Sequence, residues 1–302
     1  MSAIPETGAR GLVRLLRSLS PRELPAIPSI FPAELAGKLS APLPRRPRAV
    51  LFDLYGTLFA SAAGGEPGLA GKRSHDGCGA ARTLLERELR AAGHQGGTAA
   101  FDLEVVRAIG RFRSAAAERR PFPEIDIEEV VSSVIPASSP AAVRKIALLH
   151  EAWRNPCAPM PGAVGLVAWL RAAGLRLGIV SNAQFYTPLL FEALLGSSPA
   201  QLGFEDALSV YSFRTGMAKP DTALFKLAAA PLFETGIAPG DILVVGNSAA
   251  NDIAPAAVLG FMTAHFGGDA RSFRPSPGAS TAALPDTLID GLERLETTFP
   301  AT

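Results

Sequence analysis

Apolar residues fall into two rhythms along this chain. After Arg48, the run Ala49-Val50-Leu51-Phe52 ends in Asp53 and Leu54, the pattern of a buried strand over about 48–54 that closes on one carboxylate. Leu175-Arg176-Leu177-Gly178-Ile179-Val180, Asp241-Ile242-Leu243-Val244-Val245-Gly246 and Phe261-Met262-Thr263-Ala264-His265-Phe266 have the same character, with a shorter strand near Leu208-Ser209-Val210-Tyr211. Between them the spacing predicts helices: Ala163 to Ala173 closed by Gly174, one near 187–195, one opened by Lys219-Pro220-Asp221 with proline in its first turn, and one ending near Leu259. Strand and helix alternate, which predicts an α/β fold with a doubly wound, mostly parallel sheet. No internal repeat is visible.

From about Ala80 to His150 apolar residues recur at three and four, over 81–89, 103–118, 124–135 and 140–153, with no strand between them. This segment reads as an inserted helical cap. A glycine-rich stretch before it (Gly64-Gly65, Gly68, Gly71, Gly77, Gly79) reads as a mobile flap. Upstream, Leu12 to Leu16 has helical periodicity, Pro21, Pro25, Pro28 and Pro32 interrupt the chain beyond it, and Pro42 to Arg48 reads as an extended linker. The expected organisation is an extension over 1–46, a core from 47–58 and 159–302, and a flap with helical cap over 59–158.

Composition narrows the class. With 302 residues, 48% apolar and 19% charged, the chain has ample core and the balance of a soluble globular protein. A formal net charge of +1 argues against a nucleic-acid or membrane-surface partner. No apolar run is long enough to span a bilayer, and the N-terminus lacks the apolar stretch of a signal peptide. Cys78 and Cys157 make no disulfide framework and read as reduced thiols, so a cytoplasmic protein acting on a small molecule is expected. The oligomeric state stays open.

Candidate chemistry sits at the predicted strand ends: Asp53, Ser181 with Asn182, Lys219, and Asn247 with Asp252. Each alone is an ordinary turn or cap residue; together they would converge beyond the carboxyl ends of parallel strands, where such sheets bind ligands. Asp53 is placed as a nucleophile that forms a covalent ester. Lys219 would keep it ionised, and Asp252 would position Lys219 or a water. Ser181 and backbone N–H groups after Asp53 and Ser181 would donate to ligand oxygens. Gly56 permits the turn after Asp53, and Thr57 adds a hydroxyl.

The ordered set resembles the haloacid dehalogenase superfamily of aspartyl-nucleophile hydrolases. Its carriers are Leu51-Phe52-Asp53-Leu54-Tyr55-Gly56-Thr57, Ile179-Val180-Ser181-Asn182, Ala218-Lys219-Pro220-Asp221, and Val245-Gly246-Asn247-Ser248-Ala249-Ala250-Asn251-Asp252. The stretch Ser181-Asn182-Ala183-Gln184-Phe185-Tyr186-Thr187-Pro188 also resembles an uncharacterised subgroup. The resemblance implies catalytic Asp53, Lys219, Ser181 and Tyr55, substrate-binding Gly56, Thr57, Asn182 and Ala183, and a metal set of Asp53, Asn247 and Asp252 with the backbone carbonyl of Tyr55.

Two departures bear on chemistry. Phosphatases of the superfamily carry Asp where Tyr55 stands, to protonate the leaving alkoxide, and an acidic metal ligand where Asn247 stands. Mg²⁺ binding is therefore expected to be weakened. Haloacid dehalogenases share a tyrosine at the Tyr55 position and use no metal, but carry Asn-x-Trp-Asp where this chain has Ala249-Ala250-Asn251-Asp252. They also imply a carboxylate-binding arginine in the cap, for which Arg107, Arg111, Arg113, Arg119 and Arg120 are available. The first reading is hydrolysis of a small anionic phosphate compound; the second is metal-independent 2-haloacid dehalogenation; the third is a binding or regulatory protein that has lost turnover. His75, His265, Trp153, Trp169 and the acidic run Glu124 to Glu129 read as polar-loop, sheet-end, packing and helix-start residues.

Overall fold

The first strand, β1 (Ala49–Phe52), turns Val50 and Phe52 to one side and Ala49 and Leu51 to the other, and all four are buried. A strand covered on both faces belongs in the middle of a layered sheet. The computed structural model describes residues 6–64, 78–276 and 284–300. Its elements are α1 (Glu6–Leu19), β1, β2 (Phe59–Ser61), α2 (Gly79–Ala91), α3 (Gly97–Ala117), α4 (Ile127–Val134), α5 (Pro140–Arg154) and β3 (Cys157–Pro159). The chain continues through α6 (Ala163–Ala172), β4 (Arg176–Ser181), α7 (Thr187–Leu190, extended by a π turn Phe191–Leu195), α8 (Pro199–Leu202), β5 (Phe204–Tyr211) and α9 (Ser212–Thr215). Then come α10 (Thr222–Glu234), β6 (Ile242–Gly246), α11 (Ala254–Val258), β7 (Met262–Phe266) and β8 (Thr287–Ile289).

Six strands form one sheet in the order β5-β4-β1-β6-β7-β8, and every neighbouring pair is parallel. β1 lies between β4 and β6, with Phe52 opposite both Ile179 and Val245. Crossing from one to the next requires helices on both faces. On one face Leu224, Phe225, Ala228 and Leu232 of α10 pack on Leu51 and Val244; on the other, Leu166 and Leu170 of α6 join the core of Phe52, Ile179 and Val245. The chain is an α/β protein with a Rossmann-like core.

Helices α2 to α5 lie between β2 and β3. The chain leaves and rejoins the sheet region through an antiparallel ribbon in which β2 pairs with β3. Helix starts follow side-chain caps: Asp126 accepts from the Glu128 N–H at 2.7 Å, and Ser139 accepts from the Ala142 N–H at 3.3 Å. The cap at Asp126 explains why α4 begins later than the predicted 124, leaving Glu124 and Ile125 outside the helix. The glycines of the expected flap from Gly65 to Gly77, and His75, lie outside the described residues.

The N-terminal region is packed against the rest of the chain. Val13, Leu16 and Leu19 of α1 are buried in the main core, and the Arg17 side chain donates to Ala193 O at 3.2 Å. The segment predicted as an extended linker is docked: Leu43 is buried and its N–H donates to Thr298 O at 2.7 Å. Among the described residues no helix is long and apolar enough to cross a membrane.

Candidate active site

Parallel pairing brings three strand ends and one loop to one edge. Asp53 continues the ladder past β1, its N–H donating to Val245 O at 3.0 Å, and Ser181 ends β4 beside it. Asn247 follows β6 directly. Lys219 arrives from the loop between α9 and α10, whose start is fixed by Asp221 accepting from the Ala223 N–H at 2.9 Å.

Asp53, Ser181, Lys219 and Asp252 meet in a buried network. Lys219 Nζ donates to Asp53 Oδ1 at 2.7 Å and to Asp252 Oδ1 at 2.6 Å. Asp53 and Lys219 are 5% and 4% exposed, so this ammonium and carboxylate interact with little solvent screening. The Ser181 hydroxyl lies 3.3 Å from Asp53 Oδ1 as a donor. Asp53 Oδ2 is treated differently: its partner among the described residues is the Thr57 hydroxyl at 3.3 Å. One oxygen of Asp53 is thus held by a cation and a hydroxyl, while the other keeps electron density available to a ligand.

The turn after Asp53 depends on a glycine. Gly56 has φ +85°, and a Cβ there would come within 2.4 Å of Ser272 Cβ and 2.5 Å of Asn247 Nδ2. Gly246 is required for a different reason, since a Cβ would meet Asp252 Cγ at 2.4 Å. Ser272 also orients Asn247. Its carbonyl accepts from Asn247 Nδ2 at 2.6 Å, which turns the amide oxygen toward the Thr57 hydroxyl, 3.5 Å away. His265, read as a satisfied sheet-end residue, has Nε2 3.0 Å from the Asn247 carbonyl; burial pulls it down to about 4. It is neutral at pH 7 and donates to that carbonyl.

Proton affinities follow from the same packing. Burial pushes the Asp252 carboxyl up to about 7, against the attraction of Lys219 and with repulsion from Asp53. Tyr55 moves further from acid–base duty. Burial pushes its hydroxyl well above 10, with the charges of Cys157 and Glu151 adding to that, while it sits 2.9 Å from Thr187 Oγ1. A phenol so placed keeps its proton at neutral pH and is a poor stand-in for the acid that phosphatases carry at this position.

Three of the expected substrate donors are spent inside the protein. The Gly56 N–H donates to Phe59 O at 2.7 Å. Asn182 grips the backbone of Lys219, accepting from its N–H at 2.7 Å and donating to its carbonyl at 3.3 Å. The Ala183 N–H donates to Ser212 Oγ at 2.8 Å. These residues place Asp53, Lys219 and Ser181; of the four, Thr57 is the one whose side chain faces Asp53. Of the five cap arginines, Arg120 reaches the core, donating to Gly216 O at 3.2 Å. Ser212, Gln184 and Ser272 matter to the site; Ser212 and Ser272 carry no sequence signal beyond being polar, and Gln184 none beyond its place in the stretch after Ser181.

The expected metal set does not fit Mg²⁺ well. Asp252 uses one oxygen for Lys219 and the other for the Ser248 N–H at 2.9 Å. Asp53 already shares its charge with an ammonium, and the remaining donors, Asn247 Oδ1 and the Tyr55 carbonyl, are neutral. Magnesium favours charged oxygens. Among the described residues no three His, Cys, Asp or Glu side chains gather as a metal site.

A family profile of haloacid dehalogenase-like hydrolases matches residues 47–260. Among solved structures, a 2-haloacid dehalogenase from Pseudomonas syringae pv. Tomato DC3000 is similar at 18% identity and TM-score 0.54, over 83% of this chain and 97% of that one. The defluorinating L-2-haloacid dehalogenase Rha0230 is similar at 19% identity and TM-score 0.53, over 91% of this chain and 100% of that one. A HAD phosphatase from Thermococcus onnurineus is found at 18% identity and TM-score 0.44, over 82% of this chain and 96% of that one. At such identities the likeness is one of fold. No curated protein matches significantly in sequence.

Proposed function

This chain belongs to the haloacid dehalogenase-like hydrolases, and from that premise we propose that it displaces an anionic leaving group from a small substrate through a covalent ester on Asp53. The observation that carries this reading is the asymmetry of Asp53: Oδ1 is held by Lys219 at 2.7 Å, while Oδ2 meets only the longer Thr57 contact at 3.3 Å among the described residues. Oδ2 attacks the electrophilic centre, the new bond to oxygen forms, and the leaving group departs with its bonding pair. Lys219, Ser181 and Thr57 offset negative charge on the substrate and on the departing group. On a carbon-centred substrate, water then adds to the ester carbonyl of Asp53 and gives one proton to Asp252, whose carboxyl at about 7 is suited to accept it near neutral pH; the Cγ–Oδ2 bond breaks, and the product leaves as an alcohol with Oδ2 and the water's second proton. The carboxylate of Asp53 is released carrying one oxygen from that water.

The surroundings of Asp53 support one substrate class. With the Tyr55 proton locked beside Thr187, the leaving group goes without protonation. A 2-haloacid meets that requirement, because halide is stable as an anion, and the reaction needs no metal. A second reading, an activated phosphate compound with an equally stable leaving group, is favoured by the donors Lys219, Ser181 and Thr57 converging on Asp53. The insert α2 to α5 then acts as a cap that excludes water and selects substrate. Halide release from 2-chloropropionate and phosphate release from p-nitrophenyl phosphate, each with and without EDTA and against Asp53→Asn, separate the readings. EDTA-insensitive halide release supports the first, and phosphate release the second. Absence of both, with thermal stabilisation by either compound, points to a binding protein.

A further inference from the structure

The segment from Phe122 to Asp126 is not helical and leads into α4 alongside the loop that precedes Lys219. Its backbone is laced to the loop that precedes Lys219: Ala218 N–H donates to Phe122 O at 2.8 Å, Glu124 N–H donates to Gly216 O at 3.1 Å, and Pro123 bridges Met217 in antiparallel sense. Two core side chains hold its other side. The amide of Gln184, 1% exposed, accepts from the Ile127 N–H at 3.1 Å and donates to Ile125 O at 3.0 Å. The hydroxyl of Ser212, fully buried, donates to Glu124 Oε2 at 2.6 Å and accepts from the Ala183 N–H at 2.8 Å. Phe122 holds φ +48° in this arrangement, a conformation that an aromatic residue adopts only where its neighbours impose it.

The placement of these contacts is the informative part. Gln184 is three residues past Ser181, Ser212 touches Ala183, and Ala218 precedes Lys219. The cap segment therefore grips both loops that deliver the groups around Asp53, and grips them at buried atoms that lose their partners if it lifts. We propose that Gln184 and Ser212 are positioning residues that latch segment 122–127 onto the core and so align Ser181 and Lys219 with Asp53. The alignment role rests on the reading that Asp53 is the reacting group. Substrate turnover is then conditional on the docked cap, because an undocked segment frees the 182–184 and 216–218 backbones together.

Hydrogen exchange of the full chain tests the latch without any substrate. In Gln184→Met and Ser212→Ala, amides of 122–127 and 216–219 exchange roughly tenfold faster than in the parent, while those of β1, β4 and β6 keep their protection. Turnover is read with 2-chloropropionate and p-nitrophenyl phosphate. Where the parent is active, kcat falls roughly tenfold with KM within about threefold, as expected for lost alignment, and Ser212→Thr restores it. Unchanged exchange in both segments overturns the proposal, as does a parent-like kcat despite faster exchange. Failure of the Asp53 reading shows up separately, as turnover that survives Asp53→Asn.

Discussion

Two buried ionic clusters, one at the sheet edge and one inside the helical insert, are built from the same ingredients in opposite proportion. At the edge one ammonium, Lys219, serves two carboxylates, Asp53 and Asp252. In the insert one carboxylate, Asp102, serves two basic side chains: His150 Nε2 lies 2.9 Å from its Oδ1, and Arg154 Nη1 contacts the same oxygen. The consequences for proton affinity are opposite. Burial pushes Asp252 up to about 7 because one cation cannot satisfy two acids. Burial also acts to raise Asp102, but hydrogen bonds from His150 and Arg154 outweigh it and hold that carboxyl below the usual range. An excess of acid leaves oxygens with reactivity to spare; an excess of base quenches it. The edge cluster is therefore read as chemical and the insert cluster as a clamp between α3 and α5.

This contrast can be broken by experiment. The largest effect belongs to Asp53→Asn, which should cut turnover by at least about a thousandfold while circular dichroism and thermal midpoint stay near the parent's. Lys219→Met comes next. It strands two carboxylates in a buried site and should cost roughly 3–5 kcal/mol in urea denaturation at pH 7. Much of that loss should return in mild acid, as Asp252 takes up a proton. Asp102→Asn reverses the experiment by stranding His150 and Arg154. A loss of about 3 kcal/mol with kcat within about twofold of the parent is expected. A fall in kcat as deep as that of Asp53→Asn would end the view of the insert cluster as a clamp.

The smallest expected effect is a difference in sign. Asp252 has its folded value raised above 3.8, so its contribution to stability is full below that value and is lost as pH rises through about 7. Asp102 has its folded value lowered from 3.8, so its contribution is present above 3.8 and is lost as pH falls through the lowered value. Stability differences between the parent and Asp252→Asn should therefore vary between about pH 4 and 7, where those for Asp102→Asn are flat. Below about pH 4 the roles should exchange. Parallel urea titrations across pH measure both.

The layered sheet was legible because buried strands that end in polar residues break the helical rhythm between them. Asp53 and Ser181 were legible for the same reason, since parallel pairing brings strand ends together whatever the details of the loops; Lys219 and Asp252 stand in the α9–α10 loop and the turn after β6 and were legible through the motif order that the resemblance supplied. The hidden features depend on partners distant in the chain. The β2–β3 ribbon has three residues on each side, one of them Pro159, and such a run has no periodicity to read. The docking of α1 and Leu43 depends on partners far along the chain, Ala193 for Arg17 and Thr298 for Leu43, not on local pattern. Asn182 and Ala183 look like ligand donors in sequence because they follow Ser181; only the fold shows that Lys219 and Ser212 claim them. Gln184 was equally silent, since an amide announces no partner.

Esterification of Asp53 during turnover is the step on which the proposed chemistry rests. A single turnover of 2-chloropropionate by excess protein in heavy-oxygen water, followed by mass spectrometry of the peptide that carries Asp53, reads this directly. Transfer of one heavy oxygen into that peptide, lost in Asp53→Asn, is the predicted result. Chloride release with the label confined to the product and the peptide unlabelled would contradict it.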